Sequence, residues 1–226
     1  MSLGPGRLQP THRNLIKRHS PAIKLYVAGE LDWNSDDFTS LKKSLRLSLR
    51  AQQHGRCIYC RRKITIERRN AAEDIEHYLD KSKKKYRKWA FSPVNLAISC
   101  HPCNMQKSTR DMGDASVAIA VGLTDVSGEY RWLHPYFDDY FENIEILDAW
   151  LYIIKPDAPN AIRAKNMIKD CLLDQIKTIE AGKSELLNRI VKTNELALRC
   201  LDTNPGRAKK LITYGKTLAI DGWKYI

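Results

Sequence analysis

The chain has 226 residues, 43% of them hydrophobic, with a formal net charge of +12 and a sequence pI near 9.4. That length suffices for one large domain or two small ones with real cores, and no apolar run approaches the ~18 residues of a membrane span. The positive charge favours a polyanionic partner, nucleic acid before membrane. No secretory leader is read at the start, so the cysteines are expected to be thiols in a reducing, cytoplasmic setting.

Residues 1–10, with Gly4-Pro5-Gly6 and Pro10, read as a lead-in without structure of its own. Thr11 to His19 is a basic arm, and Ile23 to Val27 has the composition of a brief strand. From Asp36, with Ser35 as N-cap, the residues Phe38, Leu41, Leu45 and Leu49 recur at helical spacing, and this helix should end near Gly55. Its polar face carries Lys42, Lys43, Arg46 and Arg50; with Arg56, Arg61, Arg62, Lys63, Arg68 and Arg69 they form a basic run opposed only by Glu67. A second basic run, Lys81 to Lys88, includes Lys83, Lys84 and Lys85. Both runs suit a groove that tracks phosphates, the plainer alternative being solvated loops.

Cys57-Ile-Tyr-Cys60 and Cys100-His-Pro-Cys103 are two Cys-x-x-Cys pairs separated by 39 residues. Four thiolates so spaced suit one tetrahedral structural zinc, and the βαβ setting of a redox Cys-x-x-Cys is missing. Between the pairs, Lys63 to Ile66 and Asp74 to Tyr78 read as strands, Leu79 to Pro93 as an exposed loop and Asn95 to Ser99 as a return segment. Cys103 to about Arg110 reads as a helix. Tyr86 and Trp89 either stack on a base or pack beneath the loop.

Cys57, Cys60, Glu76-His77, Asn95-Leu96, Cys100, Cys103-Asn104 and Lys107, in that order, resemble the HNH endonuclease family over about 50 of the 226 residues. The resemblance implies an α+β chain. Its centre would be a ββα-metal HNH core with a four-cysteine zinc site, flanked by an N-terminal helix and a mainly helical C-terminal region. By resemblance His77 is the general base, and Glu76 and Asn104 ligate a catalytic Mg or Mn ion. Asn95 would hold the loop that orients His77, and Lys107 would meet a phosphate oxygen. Strand alternation starts Glu76 and His77 on opposite faces, so a twist or bulge is needed to bring them to one site. Asp74 is an understudy ligand on the Glu76 face, and His101 a turn residue of the second knuckle. The activity implied is hydrolysis of DNA phosphodiester bonds; the alternative is a zinc module that binds nucleic acid or a partner without cutting.

Past the core, Asp111 to Gly128 reads as a linker, with Ser116 to Leu123 as a possible strand. Trp132 to Phe141 is aromatic and acidic, and His134 beside Asp138 and Asp139 reads as an aromatic-packed His-Pro turn rather than a second site. Glu145 to Ile154 reads as a strand; Ala161 to Leu173, Asp174 to Leu201 and the stretch from Pro205 read as helices. Ile176, Ile179, Leu186, Ile190, Leu198 and Leu201 fall on roughly one stripe, and Cys171 and Cys200 read as buried helix residues. This order is similar to the HNH proteins of Septu-type and retron-linked anti-phage systems. An ATPase partner for the tail, or a homo-oligomer, is what that similarity implies. The expected division is an arm at 1–34, the nuclease core at 35–112, a linker at 113–130 and the helical region at 131–226.

Overall fold

The computed structural model describes residues 2–66, 72–147 and 150–222, with the backbone alone at 177–184 and 221–222. Glu67, Arg68, Arg69 and the Ile179 side chain therefore lie outside the described residues. The chain is α+β and forms two compact units, one of residues 1–146 and 152–173, the other of residues 147–151 and 174–226.

The first unit opens with two short helices, α1 (Arg13–Arg18) and α2 (Ser20–Ala28). The strand expected at Ile23 to Val27 is part of α2. Its ends explain why: Pro21 sits in the first turn and Gly29, at φ 94°, provides a left-handed stop. After a 3₁₀ turn capped by the Ser35 side chain comes α3 (Thr39–Gln52). Phe38, Leu41, Leu45 and Leu49 are all at most 1% exposed, so the helical spacing in the sequence is the core-facing stripe. Each such side chain contributes about 1.5–3 kcal/mol by leaving water.

The strands β1 (Glu73–His77) and β2 (Leu96–Cys100) pair antiparallel in unbroken register, from Glu73 opposite Cys100 to His77 opposite Leu96. The helix α4 (His101–Lys107) follows β2 without an intervening residue. Lys63 to Ile66 contributes one bridge, Lys63 to Arg56, rather than a strand. The outer edge of β2 is closed by a side chain: the Gln53 amide donates to the Ile98 carbonyl (2.8 Å) and accepts from the Ile98 N–H (2.7 Å). A glutamine thus stands in for a third strand and leaves no buried backbone group of Ile98 unpaired.

The loop between β1 and β2 is not open to solvent along its length. It carries a 3₁₀ segment, Lys84–Trp89, and buries Tyr86, Trp89, Ala90 and Phe91. The stretch expected to be a linker contains α5 (Ala115–Ile119) in place of the expected strand, and Asp114 caps it by accepting from the Val117 N–H. Beyond it are α6 (Tyr140–Asn143), the paired strands β3 (Ile144–Leu147) and β4 (Leu151–Ile154), and α7 (Ala161–Asp170). His134 is fully buried and stacked on Phe137 at 3.9 Å, as a packed turn residue should be.

The second unit is built on α8 (Ile176–Cys200) packed against α9 (Pro205–Gly222). Among the described residues no helix is long and apolar enough to cross a membrane.

Candidate active site and metal centre

Four cysteines from three places in the chain form one cluster. Cys57 and Cys60 lie on the turn after α3, Cys100 ends β2 and Cys103 sits in the first turn of α4. Their sulfurs all lie within 4.8 Å of one another, and these four residues could hold a metal ion. The Cys60 and Cys100 sulfurs are 3.8 Å apart, the edge of about 3.8 Å that a tetrahedron with ~2.3 Å metal–sulfur bonds requires. Burial opposes a thiolate at Cys57, yet hydrogen bonds from Cys100, Cys103 and Cys60 bring its pKa well below the usual thiol range. The bonds with Cys100 push Cys60 and Cys103 up.

Backbone carbonyls of the first knuckle are held by two tyrosines: the Tyr152 hydroxyl donates to Cys60 O (2.6 Å) and the Tyr140 hydroxyl to Tyr59 O (2.9 Å). Arg61, expected at a nucleic-acid surface, is 2% exposed. Its guanidinium lies 4.0 Å from the Tyr140 ring centroid and donates to the Pro5 carbonyl, so it fastens the N-terminal segment to the knuckle. Arg62 is half-buried.

His77 ends β1 and is 4% exposed. A hydrogen bond joins it to the backbone of Ala90, while Nε2 has no partner. That pattern assigns the proton to Nδ1 and leaves the Nε2 lone pair as an acceptor. Burial, with the charges of Lys81 and Lys107, holds its pKa well below the ordinary imidazole value. The imidazole is therefore neutral at pH 7. Trp33, which the sequence reading left without a role, lies against it with ring centroids 4.4 Å apart. Its signal was present: a lone tryptophan in the polar stretch Gly29 to Ser35.

Glu76 takes a different position from the one expected. The register of β1 contains no bulge, so Glu76 and His77 keep opposite faces. Glu76 is 2% exposed, 2.6 Å from the Lys107 ammonium, and accepts a hydrogen bond from Tyr59 (3.0 Å). Burial raises its pKa, and the attraction of Lys107 pulls it back. Lys107, expected to reach a phosphate, is 3% exposed and also donates to the His77 carbonyl at 2.7 Å.

Asn104 meets Asp74 instead. Its amide donates to the Asp74 carboxylate at 3.0 Å, and His101 Nδ1 lies 2.9 Å from the same oxygen. Asn95 is 1% exposed and spans the loop: it accepts from Leu79 N–H (2.7 Å) and donates to the carbonyls of Leu79 (3.1 Å) and Trp89 (2.9 Å). Lys81 and Lys83 are half-buried, whereas Lys84 and Lys85 are exposed, Lys85 being paired with Asp111. On α3, Arg50 makes two bonds to Glu73 at 2.7 and 2.8 Å and is thereby drawn onto the sheet, away from a free basic face.

No protein-family model matches the chain, and no curated protein matches it.

Proposed function

We propose that the chain is a zinc-bearing nuclease of the HNH type that hydrolyses DNA phosphodiester bonds with His77 as general base. The observation that carries this reading is the His77 Nε2 lone pair, buried and unpartnered, on the first strand of a β-β-α unit bracketed by four clustered thiols. Nδ1 is occupied by the Ala90 backbone, so a water proton would go to Nε2. Lys81, whose charge acts on His77, is the cation assigned to the phosphate in this proposal.

The sulfur geometry supports zinc, which would contribute folding energy rather than chemistry. A catalytic Mg or Mn ion on Glu76 and Asn104 does not fit this arrangement. Lys107 already neutralises the Glu76 carboxylate away from solvent, and Asn104 is turned to Asp74. The α8–α9 pair exposes Leu187, Val191, Leu198 and Ile212, which supports a second reading in which this unit docks a partner, proposed as an ATPase in an anti-phage setting.

Plasmid cleavage by wild type and His77→Ala, each with Mg, Mn or EDTA, tests the proposal. His77→Ala is expected to keep its metal content and DNA binding and to lose cleavage. Absence of cleavage in both, with DNA binding intact, would leave the non-catalytic zinc module, and equal cleavage would remove His77 as the base.

A further inference from the structure

The loop from Gly29 to Ser35 covers the one side chain on which the proposed chemistry depends. The Trp33 indole stands at 83° to the His77 imidazole with ring centroids 4.4 Å apart, and the buried Nε2 of that imidazole has no partner. Beside backbone hydrogen bonds from Glu30 and Leu31 to the Leu25 carbonyl, side chains hold the loop. The Arg87 guanidinium donates to the carbonyls of Tyr26 (2.7 Å) and Leu31 (2.9 Å), the Lys42 ammonium donates to the Trp33 carbonyl (3.1 Å), and the indole packs on Phe91 at 5.0 Å.

Two cations converge on the same indole. The Lys42 and Lys81 ammonium groups lie 5.8 and 5.5 Å from its centroid, and Lys81 makes no hydrogen bond among the described residues. Cation–π contacts are weak ties individually, the Lys42 ammonium has only a neutral carbonyl as hydrogen-bond partner, and a phosphate, charged itself, competes well for both ammonium groups. An indole released from its cations offers a face on which any base can stack. The cover of His77 and the means of removing it are therefore the same few groups.

We propose that residues 29–35 form a strap that closes over His77, and that a nucleic-acid strand opens it. One phosphate of the strand takes Lys42 and Lys81, and the adjoining base stacks on Trp33. The proposal rests on the reading of His77 as the base and adds to it a nucleotide subsite and a resting, closed state. Opening also hydrates the imidazole and returns it toward ordinary basicity, so that it gains strength as a base when substrate is present.

Accessibility of His77 tests the strap without measuring cleavage. Diethyl pyrocarbonate modification, read at each histidine by mass spectrometry, should be on the order of 100-fold slower at His77 than at the exposed His54 and His101. Trp33→Ala should speed it by ~10-fold or more, Lys42→Ala by less, and Trp33→Phe should leave it slow. Titration with oligodeoxythymidylate should quench tryptophan emission in wild type but not in Trp33→Phe, which reads the stacking arm. His77 modification at one rate in wild type, Trp33→Ala and Lys42→Ala would overturn the strap. Equal quenching in wild type and Trp33→Phe would overturn the subsite. If Trp33→Ala loses its metal, Lys42→Ala carries the accessibility arm. Cleavage that survives His77→Ala would refute His77 as the general base and leave the modification rates unaffected.

Discussion

The Lys107 ammonium lies 2.6 Å from the Glu76 carboxylate, with both side chains at most 3% exposed, and the same nitrogen donates to the carbonyl of His77. A helix is thus clamped to the strand that carries the proposed base. Removing one partner strands a buried charge, which costs about 3–5 kcal/mol. Lys107→Met should lower unfolding stability in urea by that amount, and adding Glu76→Gln should recover more than half. A loss under ~1 kcal/mol for the single variant, the size of an exposed pair, would contradict the buried clamp.

Asn95 satisfies three backbone groups of the β1–β2 loop from a buried position. Asn95→Ala orphans them together, and at about 1 kcal/mol or more for each bond the loss should reach ~3 kcal/mol. Because Ala90 and Trp89 belong to that loop, the variant should also loosen His77. Amide exchange at Leu79 and faster carbethoxylation of His77 would report it.

His12, His77 and His134 are buried with depressed pKa values, that of His12 lowered to about 4 because burial disfavours its charged form. In the unfolded chain each takes up a proton near pH 6.5, and in the folded chain only at lower pH. Stability from these groups is therefore complete above pH 6.5 and is lost as pH falls toward the folded values. For His12 alone the loss is about 3 kcal/mol once pH reaches 4. Urea midpoints measured from pH 7 to 5 should fall, and His12→Gln should flatten the slope. A flat wild-type profile would show these histidines to be solvated.

The four clustered thiols could hold a metal ion, and on the zinc proposal folding should depend on it. Cys103→Ser leaves three sulfurs, and the expected result is loss of the bound ion, found by metal analysis, with a fall in thermal midpoint. Cys200→Ser, outside the cluster, should leave the metal content unchanged. A chelator should lower the midpoint of wild type and have no effect on Cys103→Ser.

The cysteine cluster and the buried stripe of α3 were legible in the sequence because both depend on residue type and short-range spacing. Helical period alone placed Leu41, Leu45 and Leu49 on one face. The α2 helix was also written there, in Pro21 and Gly29, but the β-branched and aromatic composition of Ile23 to Val27 obscured it. Asp114 likewise marked the start of α5.

Strand alternation could say that Asp74 and Glu76 share a face and that His77 opposes them. It could not say what covers either face. Tertiary packing decided that Glu76 and Lys107 neutralise one another in the interior, that Asp74 is the carboxylate meeting Asn104, and that Trp33 lies on His77. Arg61 was read as a phosphate contact from its charge, yet a tyrosine ring and the Pro5 carbonyl claim it. The sequence by itself determined the four-cysteine cluster and the core-facing stripe of α3. Which charges are buried, and which group shields the imidazole, depended on neighbours distant in the chain, 31 residues for Glu76 and Lys107 and 56 for Arg61 and Pro5. Burial sets the energetic value of a charge, and only the packed chain determines burial.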